Sequence, residues 1–428
     1  MVISPNGKEQ KKKIIRRQQI LINIRVIIIS VAGVIKGKLR YLERLYSRFP
    51  IRVIEAPEHI EGASPPSVFI GRHGYPKVHV GPLVPQQHGD TSIMDMPEQW
   101  IENKTQSDII DFRLTLIRGK EPVNVKDRNK MISLLQEISL SKKSVEIEAQ
   151  FKKKPRGRFV NEEMQPFGPS APLKEMRVDV QKFEPHLEKA YYDTDLLARN
   201  AVITLYEKGL MVSTIQKAFS TGAFGLEQNR KLVPTRWSIT AVDDMLGLHL
   251  LEDVKQNPTI NEYRVYEAEH LMNKFVILMM PTYWQYETME AFFPQIIGDR
   301  LEIFGDWEGY DGRKQYAQIG GCYYSAKFGI LEALQREKRQ AGAIVFRECY
   351  PGYIPLGVFN VRENVRDALR KSYVKFDNMQ AALNYINSRM KIKMNTWIRK
   401  SKMLRNLMVQ KKLSDFKSKN LFKPPQTI

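Results

Sequence analysis

The rhythm of hydrophobic and polar positions changes several times along these 428 residues, and the changes predict the elements. Residues 20–35, ILINIRVIIISVAGVI, are largely apolar with Asn23 and Arg25 inside, but the run is 16 residues against the ~20 a bilayer-spanning helix needs. Its β-branched content suits a buried strand, so a cytoplasmic protein without a membrane partner is expected. Alternation in Phe112-Arg113-Leu114-Thr115-Leu116 predicts a strand over 111–117, followed by a helix over 127–139. Helical spacing dominates 186–220 and 240–255, the second opened by Thr240-x-x-Asp243, a capping-box variant. Strands are predicted at 262–268, 274–280 and 342–348, and helices at 324–339, 361–371 and 378–390. A last amphipathic helix, 391–409, sets Met394, Trp397, Leu404, Leu407 and Met408 along one side. Strands and helices mix without strict βαβ order, which predicts an α+β fold in two domains with a C-terminal helix and a flexible basic tail.

Glycine and proline mark the breaks. Short strands flank Gly71-Arg72-His73-Gly74, the pattern of a hairpin. Lys152-Lys153-Lys154-Pro155-Arg156-Gly157-Arg158 reads as an exposed loop, and Phe167-Gly168-Pro169-Ser170-Ala171-Pro172-Leu173 as a second, rigid one. The resulting divisions are a basic segment 1–54, domains over 55–230 and 231–390, the helix 391–409 and a tail 410–428.

Charge sharpens this picture. Residues 1–54 hold 13 Lys/Arg against Glu9 and Glu43, and residues 386–428 hold 12 against Asp415 alone. The formal net charge of +20 therefore sits at the two ends, and the body between them is near neutral. Cationic arms of this kind attract polyanions and make any nucleic-acid binding salt-dependent. The two cysteines, Cys322 and Cys349, cannot build a disulfide framework or a cysteine zinc site.

The tail carries the most specific pattern: Gln410-Lys411-Lys412-Leu413-Ser414-Asp415-Phe416-Lys417. In one 3₁₀-like turn, residues three apart share a side, so Leu413 and Phe416 would form a small apolar plug beside Gln410. That spacing is the spacing of a sliding-clamp-binding peptide, and a terminus can reach such a partner. Lys417 stands where many such peptides carry a second aromatic. The same spacing recurs at Gln106, Ile109 and Phe112, which runs into the predicted strand and is expected to be structural.

Other constellations weigh less. Arg72, His73 and Lys77 on the hairpin are candidate nucleic-acid contacts, since glycines allow close backbone approach and arginine grips phosphate in two-pronged fashion. Lys231 and Arg236 beside Trp237 could meet a phosphate and a base. His73, His79, His88 and Asp90 lack the spacing of a metal site, and no resident metal or cofactor is expected. In the glycine-rich stretch 305–321, Asp306, Glu308 and Asp311, with Lys314 nearby and Asp243 and Asp244 as candidate additions, suggest an alternative: a Mg²⁺-dependent nuclease. A polar turn explains the same residues, so whether the chain is an enzyme is left open.

Pro65-Pro66-Ser67-Val68-Phe69-Ile70-Gly71-Arg72-His73-Gly74-Tyr75-Pro76-Lys77-Val78, then Val80-Gly81-Pro82-Leu83 and Phe167-Gly168-Pro169-Ser170-Ala171-Pro172, resemble the archaeal Nre family from about residue 40 onward. The resemblance implies a role in DNA-damage repair, with DNA and the sliding clamp as partners and Gln410, Leu413 and Phe416 in the clamp-binding positions. One departure matters. Many members carry four N-terminal cysteines that hold zinc, whereas Val34-Ile35-Lys36-Gly37-Lys38-Leu39-Arg40-Tyr41-Leu42 has none, so zinc is not expected here.

Overall fold

A computed structural model describes residues 56–156 and 168–409. The 20–35 run and the 410–417 peptide lie outside the described residues.

Two six-stranded mixed sheets organise the chain. The first is built from β1 (His59–Ser64), β2 (Val68–Ile70), β3 (Lys77–Val84), β4 (Ile117–Asn124), β5 (Val145–Phe151) and β6 (Ser170–Asp179), in the order β1-β5-β6-β4-β3-β2. One of its faces is apolar: Ile60, Val68, Ile70, Val78, Val80, Ile147 and Ala149 pack on Ile132, Leu135 and Ile138 of a helix over Lys130–Leu140. The other face is polar, as alternation in a half-covered sheet requires.

The second sheet comprises β7 (Tyr263–His270), β8 (Asn273–Met280), β9 (Gln285–Phe292), β10 (Glu302–Glu308), β11 (Gly342–Cys349) and β12 (Val374–Phe376), ordered β10-β9-β11-β8-β7-β12. It is covered on both sides. Phe275, Ile277 and Met279 of β8 face one core while Val276, Leu278 and Met280 face the other, so the strand reads as a continuous apolar run.

The helices, in chain order, are α1 (Trp100–Asn103), α2 (Gln106–Thr115), α3 (the Lys130–Leu140 helix), α4 (Pro185–Tyr192), α5 (Ala198–Glu207), α6 (Val212–Ser220), α7 (Thr235–Val254), α8 (Gly321–Glu337), α9 (Phe359–Arg370), α10 (Met379–Arg389), α11 (Met394–Lys400) and α12 (Lys402–Val409). Helices α4 to α9 contribute to the core on one side of the second sheet, and α10 to α12 cover the other. No described helix is long and apolar enough to cross a membrane.

The α+β prediction holds, with four local corrections. Residues 106–115 are helical, not a strand: the Thr105 hydroxyl accepts from the Asp108 N–H while the Asp108 carboxylate accepts from the Thr105 N–H, a reciprocal cap that nucleates α2. Residues 170–173 are not a loop but the start of β6, which runs parallel to β4. Thr240 caps nothing, because α7 already begins at Thr235 after Pro234. The C-terminal helix is two: Ser401 leaves helical geometry, and its side chain and the Lys402 and Met403 N–H groups all donate to the buried Glu287 carboxylate of β9. A second sheet carboxylate, Glu348, accepts from the Lys391 and Ile392 N–H groups, pinning the same region from β11.

Candidate nucleic-acid interface

The hairpin of β2 and β3 forms as its sequence predicts, with Ile70 opposite Val80. Gly71 N–H donates to the His79 carbonyl at 2.8 Å and Lys77 N–H to the Gly74 carbonyl at 2.9 Å, closing the loop. Gly74 sits at φ +79°, and a Cβ there would lie 2.8 Å from the Lys77 carbonyl oxygen, so only glycine fits. The Tyr75–Pro76 bond is cis.

The loop docks onto the start of α7. Ile70 N–H donates to the Thr235 hydroxyl at 3.0 Å, and the Tyr75 and Trp237 rings meet with centroids 5.1 Å apart at 51°. Both rings remain open to solvent, Tyr75 at 42% and Trp237 at 44%. His73 and Lys77 are exposed and Arg72 half-buried on one side of this contact; Lys231 and Arg236 are exposed on the other. Residues 62–89 contain no Asp or Glu, nor do residues 228–242, so the fold joins two acid-free segments at one place.

Cations also collect beneath the hairpin. Arg118 of β4 lies over the Phe69 ring at 4.2 Å, and burial, with Arg113 adding repulsion, pushes its guanidinium down to about 10. Burial and then Arg118 lower Lys120 as well. Asp95 offsets part of this charge, facing Arg113 at 3.2 Å and Lys217 at 3.8 Å. The far edge of the same polar face is acidic, with Glu61, Glu146 and Glu148 on β1 and β5.

The other sequence candidates are placed apart. His88 contacts Glu146 at 2.9 Å, while the Asp90 carboxyl is held low by hydrogen bonds from Ser92. Among the described residues, the one trio able to share a cation is His59, Glu61 and Glu148; His59 lies 3.1 and 3.8 Å from the two acids. Gln106 and Ile109 are structural, as expected of the second clamp-like copy: the Gln106 amide bridges Gly352 and Ile354, and Ile109 is fully buried.

Asp306 and Glu308 alternate along β10, but each already faces its own cation. Asp306 pairs with Arg313 at 2.8 Å and accepts from Ile319 N–H. Glu308 pairs with Lys327 at 2.7 Å and accepts from Trp284 Nε1 and the Tyr323 hydroxyl. Asp311 is exposed. Asp244 does join this neighbourhood: burial raises its carboxyl, Lys327 opposes the rise and Glu308 adds to it. Asp243 belongs elsewhere, fully buried between α6, α8 and α9, where its carboxylate accepts from Arg362 at 2.7 Å, Gln216 at 2.9 Å and Ser325 at 2.5 Å. Cys322 and Cys349 lie in α8 and β11.

The Tyr75–Trp237 contact was not legible in the sequence; its only linear signal is an aromatic within two residues of a cation in each segment. The interface thus presents aromatic faces in cationic surroundings, the elements of a nucleic-acid contact. The chain belongs to the archaeal Nre family: residues 39–297 match the model described as Archaeal Nre, N-terminal, and residues 308–416 the one described as Archaeal Nre, C-terminal. It is similar to DNA repair protein NreB of Archaeoglobus fulgidus, with 43% identity over 82% of this chain and 90% of the relative. It is also similar to DNA repair protein NreA of the same organism (33%, covering 80% and 88%) and of Haloferax volcanii (30%, covering 87% and 92%). No solved structure matches. The stretch between the two family matches, residues 298–307, holds most of β10; β7, β8 and β9 fall in the first match and β11 and β12 in the second, so the second sheet draws on both.

Proposed function

We propose that this chain is a DNA-repair factor that associates with DNA through the β2–β3 hairpin and is recruited to the replication sliding clamp by its C-terminal peptide. The observation that carries the repair role is the 43% identity, across most of both chains, to a protein named DNA repair protein NreB. Arg72, His73 and Lys77 would meet phosphate, and the basic ends would add non-specific attraction. Gln410, Lys411, Lys412, Leu413, Ser414, Asp415, Phe416 and Lys417 would form the clamp peptide, with Leu413 and Phe416 as the anchors. The terminus they occupy follows α12, which the Glu287 carboxylate fixes to the second sheet.

Two measurements test this reading. Leu413→Ala with Phe416→Ala should abolish binding to the clamp by calorimetry while leaving circular dichroism unchanged; retained affinity refutes clamp recruitment. Affinity for DNA should fall steeply between 50 and 200 mM salt, by about tenfold or more for a few phosphate contacts. An affinity indifferent to salt refutes phosphate contact. The nuclease alternative asks Asp306 and Glu308 to leave Arg313 and Lys327, and so draws less support from the geometry. Its test is Mg²⁺- or Mn²⁺-dependent cleavage lost on Asp306→Ala.

A further inference from the structure

We propose that the Tyr75–Trp237 pair is a stacking platform for an unpaired base, making this face a binding site for single-stranded DNA. The inference rests on the DNA association proposed above and deepens it.

Three observations converge on this place. The first is exposure. Trp100, Trp284 and Trp397 are fully buried and Trp307 is partly covered, its ring under the Lys402 ammonium at 4.2 Å. Trp237 alone among the five tryptophans keeps 44% of its surface in water, and it does so against a second aromatic that is itself 42% exposed.

The second is rigidity. Tyr75 sits in the six-residue loop between β2 and β3, closed by backbone hydrogen bonds, and Trp237 stands in the first turn of the 20-residue helix α7. The Ile70–Thr235 hydrogen bond ties the two supports together, and the adjoining Pro234 and Ser238 are buried. The backbones that carry the two rings are therefore set before a ligand arrives, which lowers the ordering cost of binding.

The third is charge. Lys77, two residues from Tyr75, and Arg236, next to Trp237, are exposed, and neither contributing segment carries an acid. An apolar protein partner would be served by the aromatics but not by the cations beside them. A nucleic-acid strand uses both, with phosphates on the cations and a base on the ring. A continuous duplex offers the same phosphates but keeps its base faces inside the stack, so the aromatic term falls to the single strand.

Tryptophan fluorescence tests this directly, because Trp237 is the accessible reporter. Titrating the full chain with an oligo-dT strand, and separately with a blunt duplex of equal charge, should quench emission with the strand only. Trp237→Ala should weaken strand binding, measured by anisotropy of a labelled oligonucleotide, by roughly 5- to 150-fold, the range of one lost base–aromatic stack, with duplex affinity changed by less than about twofold. Trp237→Phe should keep strand affinity within about threefold while abolishing the quench, which a merely structural role for the indole would not produce. Strand binding with unchanged emission, or a Trp237→Ala affinity within about twofold of the parent, overturns the platform while leaving DNA association standing. Failure of both strand and duplex to bind at low salt overturns DNA association and the platform with it.

Discussion

Replacing Arg362 by methionine should be among the most damaging single changes in this molecule. Arg362 is 1% exposed, and its guanidinium donates to Asp243 at 2.7 Å and to Glu363 at 2.9 Å. Burial works against the charged guanidinium, but Asp243 and then Glu363 outweigh it and hold the group firmly protonated. Methionine fills much of the same volume, so the packing loss is small and the damage is electrostatic. Removing one member of a buried pair strands the other and costs about 3–5 kcal/mol. Asp243 keeps its bonds from Gln216 and Ser325, and Glu363 keeps Arg366, which places the expectation at about 3 kcal/mol. Adding Asp243→Asn removes the stranded charge. The double variant should then lose less than the two single losses together, by about 2 kcal/mol.

Urea unfolding followed by circular dichroism across the four-member cycle measures this, and pH supplies a second readout. In Arg362→Met, burial that already raises the Asp243 carboxyl acts without its counterion. A carboxyl whose folded value lies above its unfolded one costs stability as pH rises through that interval, so the variant should be weakest at pH 8 and recover toward pH 5. A loss below about 1 kcal/mol, or single losses that add within about 0.5 kcal/mol, would refute the assigned coupling.

Glu287→Ala should leave the Ser401 hydroxyl and two N–H groups without their acceptor and speed hydrogen exchange across α12 by at least tenfold; unchanged protection would show that apolar packing alone holds it. Gly74→Ala should lower the melting temperature by a few degrees and weaken DNA binding, since φ +79° and the 2.8 Å approach to the Lys77 carbonyl both oppose a Cβ. Burial pushes the Glu267 carboxyl up, but hydrogen bonds from Tyr385, Arg389 and Lys274 win and hold it low. The stability it adds is present above the unfolded carboxylate range and is lost as pH falls through the depressed value. Melting temperatures between pH 6 and 3 should therefore fall less steeply in Glu267→Gln than in the parent.

Local signals revealed β7, β8 and β11, half of the second sheet. β8 and β11 contain the apolar runs 275–280 and 342–346 and α8 is long, so their composition suffices. The failures occurred where a distant partner decides. The alternation of Phe112, Leu114 and Leu116 imitates a strand, but the Thr105–Asp108 cap and the burial of Ile109 and Ile110 against Leu271, Ile354 and Leu356 select a helix. Ser401 reads as a tolerable helix residue until Glu287, 114 positions earlier, takes its hydroxyl. The loop reading of residues 167–173 overlooked the β4 edge that Ser170, Ala171 and Pro172 join. Of the candidate site, Arg72, His73 and Lys77 could be named from the hairpin alone. The meeting of Tyr75 with Trp237 could not, because 161 residues separate the rings from any common local pattern.

The two carboxylates that pin the C-terminal helices also set a leash. Val409 ends the last helix, and the four residues from there to Leu413 reach at most about 14 Å even when drawn straight. A ring-shaped partner gripping Leu413 would thus hold this molecule close against its own rim, rather than trailing it on a long string, and would compete for space with any other factor perched there.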